Sequence, residues 1–172
     1  MSPLFSTVPS SSPVTELQLR SHHEYLFLDR CLILLKYFPR LQSLNIVAQG
    51  IKWSPKRTFP TEKLICPVRI FHLQISQSEL SLNEWIEVFI TSMEHLEKFT
   101  LVIINSLDDI SYLDLLIWKK IVEKLPFLRE INLEISPSVR IDTDRWTKKS
   151  QILTKILAKK KISFQMAVSL RA

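Results

Sequence analysis

Glycine is almost missing from this chain: its 172 residues hold one, Gly50. Loops that cradle phosphates, and the turns that bind dinucleotides, need several glycines so that backbone can approach the ligand closely. Neither a P-loop nor a G-x-G-x-x-G can be written with one, which excludes most nucleotide-dependent enzymes. Cysteine is scarce as well. Cys31 and Cys66 make no disulfide framework; they fit two small core hydrophobes in a reducing, intracellular compartment, cytoplasm or nucleus. Long apolar runs are lacking, and "CLILL" at 31–35 is far too short to cross a bilayer. The opening "MSPLFSTVPSSSP" has no basic start leading into an apolar stretch, so no secretory signal is expected.

Catalytic signatures are equally sparse. There is no G-x-S-x-G, H-E-x-x-H or C-x-x-C. The pair His22 and His23 has no cysteine or third ligand at metal spacing, and no metal site is expected. Asp108 and Asp109 read as helix-capping residues rather than paired catalytic carboxylates. No catalytic residue, cofactor or small-molecule substrate is expected, and the chain reads as a non-enzyme.

What is present is a recurring pattern. Apolar-x-x-apolar-x-apolar fits Val14, Leu17, Leu19; Leu41, Leu44, Ile46; Ile70, Leu73, Ile75; Leu96, Phe99, Leu101; and Leu128, Ile131, Leu133. A weaker sixth copy runs through "KKKISF", with Lys159 in the first position and Ile162 and Phe164 in the others. The starts fall 27, 29, 26, 32 and 31 residues apart, a period that predicts stacked strand–helix units. Of the eighteen residues interleaved with and following these apolar positions, sixteen are polar or charged; Val47 and Val102 are the exceptions. Strict alternation predicts strands with one face buried and the other wet.

Helical patterns separate the strands. Residues 22–38 carry Leu28, Leu32 and Leu35 on one stripe before Pro39. "SLNEWIEVFITSMEHL" opens on Ser81 and Glu84, a capping-box pair, and places Ile86, Phe89, Ile90 and Met93 on its apolar side. "SYLDLLIWKKIVEKL" follows, capped by Ser111 or Asp109, and a last helix from Asp142 or Thr143 buries Trp146, Leu153, Ile156 and Leu157. "IKWSPKRTFPTEKLICP" holds three prolines and predicts an extended loop.

Two architectures compete. A doubly wound sheet is covered on both faces and has strands apolar throughout, as in "FTLVIIN". The polar alternation elsewhere favours the other: an α/β solenoid with a parallel concave sheet of about six strands and helices on the convex side. The expected division is a disordered N-terminal segment over 1–13 and one repeat domain over 14–172.

With "LQSLNI", "LEKFTL" and "LREINL", the chain resembles the leucine-rich repeat family of the ribonuclease-inhibitor-like type. It departs from that family where Gln49, Ser78, Ile104 and Ser136 occupy the place of a ladder-forming asparagine. The stretch "YLDLLIWKKIVEKLPFLREINLEI" further resembles the repeat region of F-box proteins, which hold substrates for ubiquitin ligases. That resemblance implies a protein-interaction scaffold for substrate recognition. It implies a ubiquitin-ligase adaptor as partner only if a longer native chain carries the F-box, which the residues before Val14 do not.

The partner-binding residues expected on the wet face are His72, Gln74, Lys98, Thr100, Glu130, Asn132 and Glu134. An alternative lies in the charge. From Asp142 onward there are eight Lys or Arg against two Asp, an excess that equals the net charge of +6 for the whole chain. Lys148, Lys149, Lys155, Lys159, Lys160 and Lys161 would then bind a polyanion, either nucleic acid or an anionic membrane. Without interleaved aromatics for base stacking, a solubilising terminal cap explains the block better, and nucleic acid or membrane is disfavoured as a partner.

Overall fold

β2, β4, β5 and β6 are entered from turns and the described strands alternate apolar and polar side chains, and the structure follows directly from that. The computed structural model describes residues 13–55, 66–78, 89–106, 110–137 and 142–169. In chain order these form β1 (Glu16–Phe27), α1 (Leu28–Leu35), β2 (Ser43–Lys52), β3 (Ile70–Ser78), β4 (Lys98–Ser106), α2 (Leu115–Lys124), β5 (Glu130–Pro137), α3 (Thr143–Lys159) and β6 (Ser163–Val168). Single 3-10 turns at Ile90–Ser92 and Ile110–Leu113 complete them. The strands form one sheet in the order β1-β2-β3-β4-β5-β6, parallel throughout.

Register places the apolar residues in rows across the sheet. Leu17, Leu44, Phe71, Phe99, Ile131 and Phe164 form one; Leu19, Ile46, Leu73, Leu101, Leu133 and Met166 form the next. The rows are fixed at the strand entrances by a repeated backbone junction. The carbonyls of Thr15, Gln42, Arg69 and Glu97 each accept two successive N–H groups of the neighbouring strand's start, at 2.8–3.1 Å. The Arg129 carbonyl accepts from Ser163 N–H at 2.8 Å.

All three α-helices pack against this apolar face. Leu28, Leu32 and Leu35 of α1, Ile117, Trp118 and Ile121 of α2, and Trp146, Leu153 and Leu157 of α3 join the strand rows in one continuous core. An aromatic chain runs through it: Phe89 to Phe71, Phe71 stacked on Phe99, Phe99 to Trp118, and Trp118 edge-on to Phe164, with centroids 5.6–6.4 Å apart. The Trp118 indole N–H finds its acceptor in the Tyr112 carbonyl at 2.7 Å, so the deepest polar atom of this chain is satisfied.

Helix ends follow local chemistry. Asp114 caps α2, its carboxylate accepting from Leu116 N–H at 2.8 Å. Asp142 caps α3 by accepting from Arg145 N–H at 3.1 Å. At the other end of α3, Lys161 N–H donates to the Ala158 carbonyl and Ile162 N–H to the Leu157 carbonyl, a Schellman closure. Lys161 supplies the left-handed residue with φ 60°, at a cost of about 1 kcal/mol relative to glycine. Asp29, in the first turn of α1, is buried and ties that helix to the segment after β2. Its carboxylate accepts from Ser54 N–H at 3.0 Å and from Ser54 Oγ at 2.6 Å. Burial works against ionisation there, but the Ser54 hydrogen bonds outweigh it and hold the carboxyl below its ordinary value.

The leucine-rich-repeat expectation is corrected by this architecture. Against six strands the described residues contain three α-helices, of 8, 10 and 17 residues, on one face of a single parallel α/β sheet with one undivided core. That is not a multi-repeat solenoid. The F-box-like resemblance, which rested on the repeat, falls with it. The motif misled for a physical reason: apolar-x-x-apolar-x-apolar marks any one-face-buried strand entered from a buried turn residue, such as Leu41, Leu96 or Leu128. It carries no information about what connects the strands.

Local expectations shift too. β1 continues to Phe27, so His22 and His23 lie within a strand rather than at a helix start. In the third strand the core positions are Val68, Phe71 and Leu73, while Ile70 is 47% exposed. In the sixth, Phe164 and Met166 pair with the core residues Ile131 and Leu133, where Ile162 and Phe164 had been aligned. Ile156 is 40% exposed rather than core. Ser81, Glu84 and Ile86 lie outside the described residues, as do Asp108, Asp109 and most of the segment 1–13.

Candidate functional site

The sheet face opposite the helices carries the interleaved polar residues. Parallel strands lie about 4.8 Å apart, so register turns those residues into a lattice. Its central row is Gln18, Asn45, His72, Thr100, Asn132 and Gln165, on six successive strands. Toward the strand entrances lies the row containing Lys98 and Glu130, and toward the exits the row of Gln74, Val102 and Glu134. The seven expected partner-binding residues therefore occupy three adjacent strands, β3, β4 and β5. Six of them are half-buried and Glu134 is exposed.

The electrostatics centre on Glu130. Lys98 Nζ lies 2.7 Å from its carboxylate, and Asn132 Nδ2 donates to the same oxygen at 2.8 Å. The Lys98 hydrogen bond, then that from Asn132, holds the Glu130 carboxyl below its ordinary value. His72 is shifted the other way in effect: partial burial disfavours its imidazolium and lowers its pKa from 6.5, with Glu134 opposing. His72 is therefore favoured in its neutral form. Its stability contribution is complete above 6.5 and declines as pH falls from there through the lower folded value. By NMR, the His72 ring titrates below 6.5, and Glu134→Gln moves the midpoint lower still by removing the opposing charge. A parent midpoint at or above 6.5 would contradict the burial.

Sequence reasoning passed over Asn45, which sits between Gln18 and His72 in the central row. The oxygens Asn45 Oδ1 and Asn132 Oδ1 are both shielded from solvent and accept no hydrogen bond. The clue was available, because Asn45 and Asn132 hold the same interleaved position of their strands. A separate trough of about 500 Å3 runs along the strand entrances, where Pro39, Pro67, Arg40 and the His95–Phe127 stack line it. Arg69 crosses its floor to pair with Glu97, Nε to Oε1 at 2.8 Å.

Among the described residues, no three His, Cys, Asp or Glu side chains come together as a metal-holding group. Both cysteines are buried free thiols; burial pushes Cys31 up to about 12 and raises Cys66. Because sheet neighbours are also sequence neighbours, the described strands have no order reversal to open a ligand crevice at their carboxyl ends. No helix among the described residues is long and apolar enough to cross a membrane. The six lysines of the alternative site lie on α3 and the turn after it, all exposed except the half-buried Lys149.

No family model matches the chain, and none of the curated proteins or solved structures is similar to it at a significant level.

Proposed function

We propose that this chain is a protein-binding module that engages its partner through the polar face of the sheet, centred on β3, β4 and β5. The observation that supports the reading is the asymmetry of the sheet. One face is covered by three helices, while the other presents in-register polar rows half open to solvent. Rows of donors and acceptors at strand spacing suit a partner's backbone and polar side chains, and a sheet holds them without further ordering cost. Lys98, Glu130 and Asn132 are already linked, so the centre of the face is preorganised. His72, Gln74, Thr100 and Glu134 surround that linked group.

Glu130→Lys combined with Glu134→Lys reverses the charge of the face while leaving the core alone. Surface ion pairs contribute roughly 0–1 kcal/mol, so the double variant melts close to the parent. A photo-reactive residue substituted for Asn132 gives a discrete cross-linked adduct in cells that make the protein, and the double variant loses it. An adduct that persists in the double variant, or one formed from Lys119 on α2 but never from position 132, sinks the reading.

A further inference from the structure

The solvent side of α3 is divided into two unlike flanks. At helical spacing, Arg145, Lys148, Lys149, Ile152, Ile156 and Lys159 share one flank, which carries no carboxylate. The other holds Thr147, Gln151, Thr154 and Ala158, with Asp144. Ile152 and Ile156 are each 40% exposed in the middle of the cationic flank.

The neighbouring helix extends the patch. Lys149 and Ile152 line a shallow hollow of about 270 Å3 together with Leu113, Asp114 and Leu115 at the start of α2. Leu116, next in the chain, is the most exposed large hydrophobic residue described, at 72%. It lines a second hollow with Ile117, Lys119, Lys120 and Glu123, and the two hollows meet at Asp114. Single exposed leucines are ordinary on a protein surface. Three protruding aliphatic side chains set among six cations and only two carboxylates, Asp114 and Glu123, are not explained that way. Nor are they explained by a solubilising cap, which needs the charges but not the isoleucines.

From this combination we propose that the α2–α3 patch docks on an anionic lipid bilayer surface. Lys and Arg have apolar stems with charged tips, so they can reach headgroup phosphates and carboxylates while Leu116, Ile152 and Ile156 enter the acyl boundary. Nucleic acid would use the cations but leave the aliphatic side chains without a role. Base stacking needs exposed rings, and the nearby Trp146 and Phe164 are buried at 1% and 8% exposure. The patch lies on the helical side of the sheet, so it leaves the polar face free for a protein partner.

Sedimentation with vesicles tests this. The full chain is expected to pellet with phosphatidylcholine vesicles that contain phosphatidylserine and to stay in solution with phosphatidylcholine alone. Each cation near the surface contributes roughly fivefold in binding, so Lys148→Gln, Lys149→Gln and Lys159→Gln together weaken it by about 100-fold. Ile152→Ser with Ile156→Ser weakens it about 10-fold or more. Leu116→Ser acts in the same direction from the other helix. These side chains project into solvent, so the variants melt with the parent. Failure of the parent to pellet with the anionic vesicles overturns the proposal. Vesicle binding unchanged in both apolar variants overturns it too, and points to a charge-only site, which tight binding of a single-stranded RNA oligonucleotide would then identify.

Discussion

Leu101→Asp abolishes the cooperative unfolding transition and the near-ultraviolet circular dichroism of the folded chain. Leu101 is fully buried on β4, in the core row between Leu73 and Leu133. No cation faces it there, so the new carboxylate has to remain ionised without a partner or be protonated at a cost, while the leucine packing is lost as well. The combined penalty is several kcal/mol. Domains of this size are stable by roughly 5–15 kcal/mol in total. Because all the described elements share one core, the damage is not confined to β4. A variant that melted like the parent would show that the register derived for β4 is wrong.

Trp118→Ala is, with Trp146→Ala, the largest truncation the described core offers. The side chain is fully buried, contacts Phe99 and Phe164 at centroid distances of 6.4 Å, and donates its N–H to the Tyr112 carbonyl. Removing it leaves a cavity and an unpaired buried carbonyl, a loss of roughly 3–5 kcal/mol. For a chain of this length that lowers the thermal midpoint by roughly 6–20 °C. Trp118→Phe keeps most of the ring volume and loses only the hydrogen bond and part of the contact, so its midpoint falls between the two. Calorimetry of the three proteins checks the order; an alanine variant within a degree or two of the parent would mean that Trp118 does not bridge α2 to the sheet.

The strand faces could be read from the sequence because a strand's side chains alternate with a period of two. The alignment of the third and sixth strands slipped by two residues, choosing Ile70 where Val68 holds the turn and Ile162 where Phe164 begins the core row. A slip of two changes the row but not the face. His72, Gln74, Thr100 and Asn132 therefore lie on the polar side regardless of the slip. The connections were less legible. Leu28, Leu32 and Leu35 do form a helix, but Tyr25 and Phe27 extend β1 into the first residues of the 22–38 stretch, and their rings hold Lys52 at 4.4 and 5.4 Å from the centroids. Such a contact joins residues some twenty-five positions apart, and no local pattern announces it. The cap of α2 is Asp114, not Ser111 or Asp109, because the chain first completes a 3-10 turn at Ile110–Leu113. Ile156 has the same residue type as its buried neighbours. On the wheel of α3, Leu153 and Leu157 share the buried stripe of Trp146, while Ile156 falls with Ile152 on the solvent flank.

The distribution of reporter side chains over the core has a practical consequence. Cys31 on α1 and Cys66 just before β3 lie in the first half of the chain and Trp118 on α2 and Trp146 on α3 in the second, all in one apolar core that also holds Trp53 just after β2. A thiol with its pKa near 12 is almost entirely protonated at neutral pH, so alkylation of Cys31 has to wait for the layer to open. Thiol labelling clocks excursions at one end of the molecule, and once Trp53→Phe and Trp85→Phe remove the other two indoles, fluorescence clocks them at the other. That double variant carries a pair of timers, and whether they keep the same time distinguishes a layer that opens as a whole from one that peels strand by strand.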